Sequence, residues 1–185
     1  AVNFSPETLS ALLAARERLR ELCAGRGGFT KDTNLHLTLA FLGEVAPARA
    51  KLAVEAMEAA EGRALTLTID RAWRFKRDGG DIWWAGSADN PALAAYQRRL
   101  TRELRERGFE LENRRFTPHV TLARRITARL GEDVRLIDRP VTERIDGASL
   151  MLSELGHGAP KYTELARVAF SELSLIHISE PTRHA

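Results

Sequence analysis

Asn34-Leu35-His36-Leu37-Thr38-Leu39 and Thr117-Pro118-His119-Val120-Thr121-Leu122 spell one pattern twice: histidine, apolar residue, threonine, apolar residue. In an extended strand successive side chains point to opposite faces, so each stretch puts imidazole and hydroxyl on one side and its apolar residues on the other. Two such strands facing each other form a pair of proton-transfer groups with hydroxyl donors beside them, the parts of an acid–base site for a small anionic group. A single histidine on a strand is commonly a satisfied core residue. The repetition is what lifts this pair above that reading.

Working outward, Ser5 is expected to cap a helix with Pro6 at its first position and Leu9, Leu12, Leu13, Leu19 and Leu22 at helical spacing, ended by Gly25, Gly27 and Gly28. The first motif reads as a strand from Asn34 to Phe41, stopped by Gly43. A helix over Ala48–Ala60 follows. Leu65, Leu67 and Ile69 alternate with Thr66, Thr68 and Asp70 as a strand with one wet face, and Asp78-Gly79-Gly80 turns the chain into a second strand, Asp81–Ala88. Asn90 and Pro91 open a third helix through Leu93, Tyr96, Leu100 and Leu104, which Gly108 ends. The second motif strand spans Thr117–Arg124, and two late strands fall at Ala148–Glu154 and Tyr162–Phe170. Gly156-His157-Gly158 lies in the turn between them, which makes His157 an exposed loop histidine. The polar stretch Arg125–Gly147 shows no period and carries no assignment. Each motif follows a helix, as an internal duplication would place it. The order predicts an α+β fold: two pseudo-symmetric lobes of largely antiparallel sheet with outer helices, and a central cleft carrying one motif on each wall.

The chain has 185 residues, 44% of them apolar, and a net charge of +3 from 28 Lys and Arg against 25 Asp and Glu. That suits one globular domain. Charge placement says more than the total. Arg98, Arg99, Arg102, Arg105 and Arg107, then Arg114, Arg115, Arg124 and Arg125, crowd the approach to the second motif. Such a rim attracts a polyanion, although the first five also suit a solvated helix face. The single Cys23 excludes an intrachain disulfide and fits a reducing cytoplasm. The motif histidines lack Cys, Asp or Glu at metal-ligand spacing, so no metal is expected. No apolar run reaches membrane-spanning length and no signal peptide is visible, so a cytoplasmic location is expected.

The residues Asn34-Leu35-His36-Leu37-Thr38-Leu39-Ala40-Phe41-Leu42-Gly43-Glu44 and Phe116-Thr117-Pro118-His119-Val120-Thr121-Leu122-Ala123-Arg124 resemble the paired HxTx motifs of the two-histidine phosphoesterases. Within that superfamily they most resemble the RNA 2′,3′-cyclic phosphodiesterase group, also called the 2′-5′ RNA ligase group. Ala1-Val2-Asn3-Phe4 resembles the remainder of that group's first strand, which is then short at its start, and Trp83-Trp84-Ala85-Gly86 fits its central hairpin. The resemblance runs from Ala1 to Phe170. Many members have Lys where Ala40 stands, so one cation of that site is missing. Residues 1–172 are expected to form the phosphoesterase domain. From Leu173 onward, with His177 and His184, the chain resembles a translated sequencing adapter and is expected to be non-native.

The resemblance implies metal-independent hydrolysis of RNA 2′,3′-cyclic phosphate ends to 2′-phosphomonoesters, with no cofactor; the reverse reaction, forming a 2′-5′ bond, needs no further residues. It assigns His36 as proton donor and His119 as the base that activates water, although the near-symmetric repeat does not itself decide which is which. Thr38 and Thr121 would donate hydrogen bonds to the non-bridging phosphate oxygens. Arg124 is a candidate phosphate contact. Phe41 and Phe116 are candidates to stack on a base at the cleft mouth, with core packing the competing role for Phe41. The expected partners are RNA ends or small cyclic phosphates, with no membrane, and the chain is expected to act as a monomer. The alternatives are a phosphodiesterase of the same fold acting on a small cyclic nucleotide and a non-catalytic RNA-binding module. A metalloprotein held by histidines is the weakest alternative, for want of acidic and thiol ligands.

Overall fold

Leu37 and Val120, the apolar residues between each His and Thr, lie opposite each other across an antiparallel bridge. The computed structural model describes residues 1–172. Among them run α1 (Pro6–Leu22), β1 (Gly28–Phe29), α2 (Ala50–Ala59), β2 (Leu65–Ile69), β3 (Arg71–Phe75), β4 (Asp81–Gly86), α3 (Pro91–Glu106), β5 (His119–Ile126), β6 (Val141–Ile145), β7 (Gly147–Glu154) and β8 (Lys161–Ala169). One sheet has the order β1-β5-β4-β3, and β2-β6 and β7-β8 form two-stranded ladders. All these pairings are antiparallel. This is the α+β architecture expected from the element order.

The N-terminal residues stitch the halves together. Ala1 exchanges backbone hydrogen bonds with Ser149 on β7, at 2.8 Å in each direction. Val2 does the same with Leu37, at 2.8 and 3.0 Å. A hydrogen-bonded path therefore runs from β8 through β7, Val2 and Leu37 to β5, β4 and β3. Val2, Leu37, Val120 and Leu122 are all at most 2% exposed, and Leu35 and Leu39 are buried beside them. The odd-numbered residues of the first motif thus face the core, as the period of two requires.

The first motif is nonetheless not a regular strand. Gly28 and Phe29 pair with Arg124 and Ala123, the chain then leaves the edge of β5 through a single 3₁₀ turn at Asp32–Asn34, and it returns at Leu37. The alternation survives because two isolated bridges at Leu37 hold the segment extended. Two further expectations change. Leu65–Ile69 does not form a hairpin with the strand after Gly80. It pairs with β6, which lies in the stretch left unassigned, while β3, unread in the sequence, takes the place beside β4.

The helices follow their signals. Along α3, Leu93, Tyr96, Leu100 and Leu104 are buried, and the Asn90 side chain accepts from the Leu93 N–H at 3.1 Å to cap it. Burying each such apolar side chain is worth about 1.5–3 kcal/mol, which makes this stripe the main anchor of the helix. The expected cap of α1 is different. Ser5 does not cap with its own oxygen; its N–H and hydroxyl donate to Glu143 on β6, at 3.0 and 2.8 Å, and the Thr8 hydroxyl donates to the same carboxylate at 2.5 Å. A carboxylate accepts more strongly than a hydroxyl and complements the positive end of the helix. The stretch expected to be non-native lies outside the described residues.

Candidate active site

Antiparallel pairing through Leu37 and Val120 sets His36 across from Thr121 and Thr38 across from His119. All four side chains therefore leave the same face, and all four line one cleft of about 560 Å³. The two motifs are backbone neighbours along a seam, so the cleft floor is a two-by-two array of alternating imidazole and hydroxyl.

The two imidazoles have different surroundings. His119 Nδ1 lies 2.7 Å from the Thr117 carbonyl oxygen. A carbonyl only accepts, so the proton sits on Nδ1, and in the neutral ring the lone pair is on Nε2. Phe75 and Trp84 pack edge-on against His119, with ring centroids at 5.2 and 6.2 Å. His36 packs edge-on against Tyr162 at 4.8 Å. Burial pushes both histidines below their ordinary pKa. For His119 the Thr117 hydrogen bond works against that shift and the Arg124 charge adds to it.

Arg124 lines the cleft, and so does Arg125. In a regular strand consecutive residues cannot share a face, and from His119 onward only odd-numbered residues would point into the cleft. The register explains the exception. Trp84 pairs with Thr121, Trp83 with Ala123 and Asp81 with Ile126, so β5 carries extra residues at two places against β4. Arg125 sits at φ 56°, in the left-handed region. These bulges leave Leu122 and Ala123 both buried and Arg124 and Arg125 both exposed. Bulges beside functional sites commonly re-aim side chains in this way.

The remaining wall consists of Thr30, Lys31 and Asn34 on one side and Gly158, Ala159, Pro160 and Tyr162 on the other. The Asn34 amide donates to the Pro160 carbonyl at 2.9 Å, tying the two rims together. Buried Arg16 donates to the Thr30 carbonyl at 2.7 Å and to Asp32 at 2.5 Å, which holds the 3₁₀ turn in place. Lys31 and Tyr162 did not stand out in the sequence and Arg125 did so only as part of the cationic rim, because each owes its position to a turn, a distant strand or a bulge. Phe41 lies outside the cleft lining and is 76% exposed, so it does not pack in the core. Phe116 is half-buried and lines a second groove instead. His157 is exposed and outside the lining. Among the described residues no group of three His, Cys, Asp or Glu side chains is placed to hold a metal ion, and no helix is long and apolar enough to cross a membrane.

The chain resembles known proteins over most of its described length. A protein of Escherichia coli named RNA 2′,3′-cyclic phosphodiesterase is 32% identical over 151 residues, covering 75% of this chain and 77% of that protein. One of the same name from Geobacillus stearothermophilus is 34% identical over 97 residues, which span 51% of this chain and only 31% of that protein. The crystal structure of E. coli LigT in apo form superposes with a TM-score of 0.76 at 27% identity, covering 92% of this chain and 95% of that one. The fold is also that of a Thermus thermophilus protein, TT0787, with a TM-score of 0.77 at 24% identity, covering 94% of this chain and 97% of that one. Residues 2–151, which carry both motifs and the seam that joins them, match the 2′-5′ RNA ligase superfamily, and the chain belongs to that family of two-histidine phosphoesterases.

Proposed function

We infer that this chain hydrolyses 2′,3′-cyclic phosphate ends of RNA to 2′-phosphomonoesters, with His119 and His36 as its acid–base pair. The observation that carries this reading is the array of two imidazoles and two hydroxyls on one cleft face. E. coli LigT has been crystallised with 3′-AMP, which supports a nucleotide phosphate as the class of ligand.

The chemistry follows from the surroundings of each ring. Neutral His119, with its proton held on Nδ1, has its Nε2 lone pair available to take a proton from water. The oxygen of that water bonds to phosphorus, and the bond from phosphorus to the ribose O3′ breaks. His36, as imidazolium, gives its proton to O3′. Burial disfavours the charged form of His36, whereas the negative charge of a bound phosphodiester favours it. One proton then serves the pair, with the two rings in opposite states. Thr38 and Thr121 donate to the non-bridging oxygens, where charge builds in the transition state. Arg124 and Arg125 add positive charge at the end of the cleft beyond Thr121. The resulting 2′-phosphate leaves a free 3′-hydroxyl.

The test is an oligoribonucleotide ending in a 2′,3′-cyclic phosphate, incubated with the protein and EDTA and followed by phosphorus NMR. A 2′-phosphomonoester signal is expected. Turnover of nucleoside cyclic phosphates with the oligomer left intact would instead assign a small cyclic nucleotide as substrate.

A further inference from the structure

A second groove, of about 460 Å³, lies between α3 and residues 112–118. It adjoins the catalytic array at the end away from Arg124. Pro118 lines it and is the chain neighbour of His119. Gln97 also lines it and donates to the Leu39 carbonyl at 3.1 Å, beside Thr38. Because the motifs run antiparallel, Leu39 and Pro118 are at the same end of the seam. The main cleft extends from the other end, toward Arg124 and Arg125. A chain whose terminal phosphate rests on the array therefore meets a second groove at the end of the seam opposite Arg124 and Arg125, the two linings sharing no residue.

The groove's charge is one-sided. Arg98, Arg105, Arg114 and Arg115 line it against Asp89 and Glu112. Glu112 engages Arg114 at 2.8 Å, whereas Arg98, Arg105 and Arg115 join no ion pair among the described residues. Neighbouring arginines on α3 and at its C-terminal cap have structural work. Arg99 donates to the carbonyls of Ala60 and Glu61 at the C-terminal end of α2, at 2.9 and 3.4 Å, and Arg107 pairs with Glu103 at 2.7 Å. Arg98 and Arg105 are two turns apart with Thr101 between them, a stripe about 10 Å long at the helical rise. Half-buried Phe116 adds an aromatic ring to the lining. Unpaired guanidinium groups along a groove, with an aromatic among them, are the pattern by which proteins track single-stranded nucleic acid.

We propose that this groove binds the single-stranded RNA leading up to the cyclic phosphate end, with Arg98, Arg105 and Arg115 on backbone phosphates and Phe116 against a base. The proposal rests on the reading of RNA ends as substrate and makes the site one for oligomers rather than free nucleotides. Three neutralised phosphates would contribute roughly 2 to the slope of log affinity against log salt for a single strand.

The experiment compares the wild type with the R98E/R105E/R115E variant and with its conservative counterpart R98K/R105K/R115K, using two readouts. The first is fluorescence anisotropy with a short RNA of about ten nucleotides ending in a 3′-hydroxyl, which requires no catalysis, titrated with salt. The second is kinetics on the same RNA ending in a cyclic phosphate and on a nucleoside 2′,3′-cyclic phosphate. Charge reversal is expected to weaken binding at least ~10-fold and flatten the salt slope by about 2. It should raise the KM for the oligomer, leave the nucleoside kinetics unchanged, and be largely rescued by lysine. A folded charge-reversal variant with unchanged RNA binding and salt slope overturns the proposal, whatever the activity. Arginine-dependent binding without hydrolysis of either substrate would retain the groove and sink the catalytic reading instead.

Discussion

At the scale of single residues, the chemistry turns on how two nearly equivalent imidazoles come to differ. The Thr117 carbonyl assigns the proton of His119 to Nδ1, and nothing comparable holds His36, whose ring meets the edge of Tyr162. Both are pushed below the ordinary value of 6.5 by burial. The productive state needs one ring charged and one neutral, so the bell of kcat/KM against pH is expected to peak on the acid side of 6.5; a maximum above it would contradict the placement. The same shift has a stability consequence. The folded protein binds fewer protons than the unfolded chain between the depressed values and 6.5, so stability is retained above that window and falls as pH drops through it. NMR titration of the two rings reads the shift directly, and inorganic phosphate is expected to move at least one of them upward. Thr38→Ala and Thr121→Ala each remove one donor to the developing charge, so kcat should fall by about 10²-fold while the rings keep their titration.

At the scale of elements, the site depends on irregularities that a two-residue period cannot encode. The His-x-Thr alternation was legible because it is local: each pair needs only an extended backbone. The bulges that bring Arg124 and Arg125 together depend on the register of β5 against β4, a property of two distant segments. Gly80 makes room for one of them. A Cβ there, at φ +117°, would lie 2.7 Å from the Arg125 carbonyl carbon. Gly80→Ala is expected to lower the melting temperature and raise KM more than it lowers kcat; unchanged kinetics would show that the bulge does not position the arginines for substrate. β6 escaped the sequence reading for a related reason. Its inward positions are Val141, Glu143 and Ile145, and a buried carboxylate in the middle breaks the apolar alternation. That carboxylate holds the start of α1 through Ser5 and Thr8. Glu143→Ala strands a buried hydroxyl and removes the cap, at an expected cost of about 2–3 kcal/mol in urea unfolding; a loss under about 0.5 kcal/mol would show that the cap contributes little.

At the scale of the whole molecule, Val2 and Leu37 join what would otherwise be separate sheets, and the seam they make carries the array of two imidazoles and two hydroxyls. The α+β class, the helices and the four central residues could be read from the chain. The strand partners could not, since β2 and β6 are far apart in sequence and only packing matches them. The proposed reaction gives both proton transfers to His36 and His119 and the phosphate oxygens to Thr38 and Thr121, side chains that share one cleft face. EDTA is accordingly expected to leave turnover unchanged, and stimulation by a divalent cation after EDTA treatment would contradict this.

The most direct test of the paired-histidine mechanism is single-turnover cleavage of a cyclic phosphate end by His36→Ala, His119→Ala and the double variant. If the rings act as one acid–base unit, each single change should cost ~10²–10⁴-fold and the double change little more. A single variant that cleaves at the wild-type rate, folded and binding RNA normally, would show that the two histidines do not share the reaction.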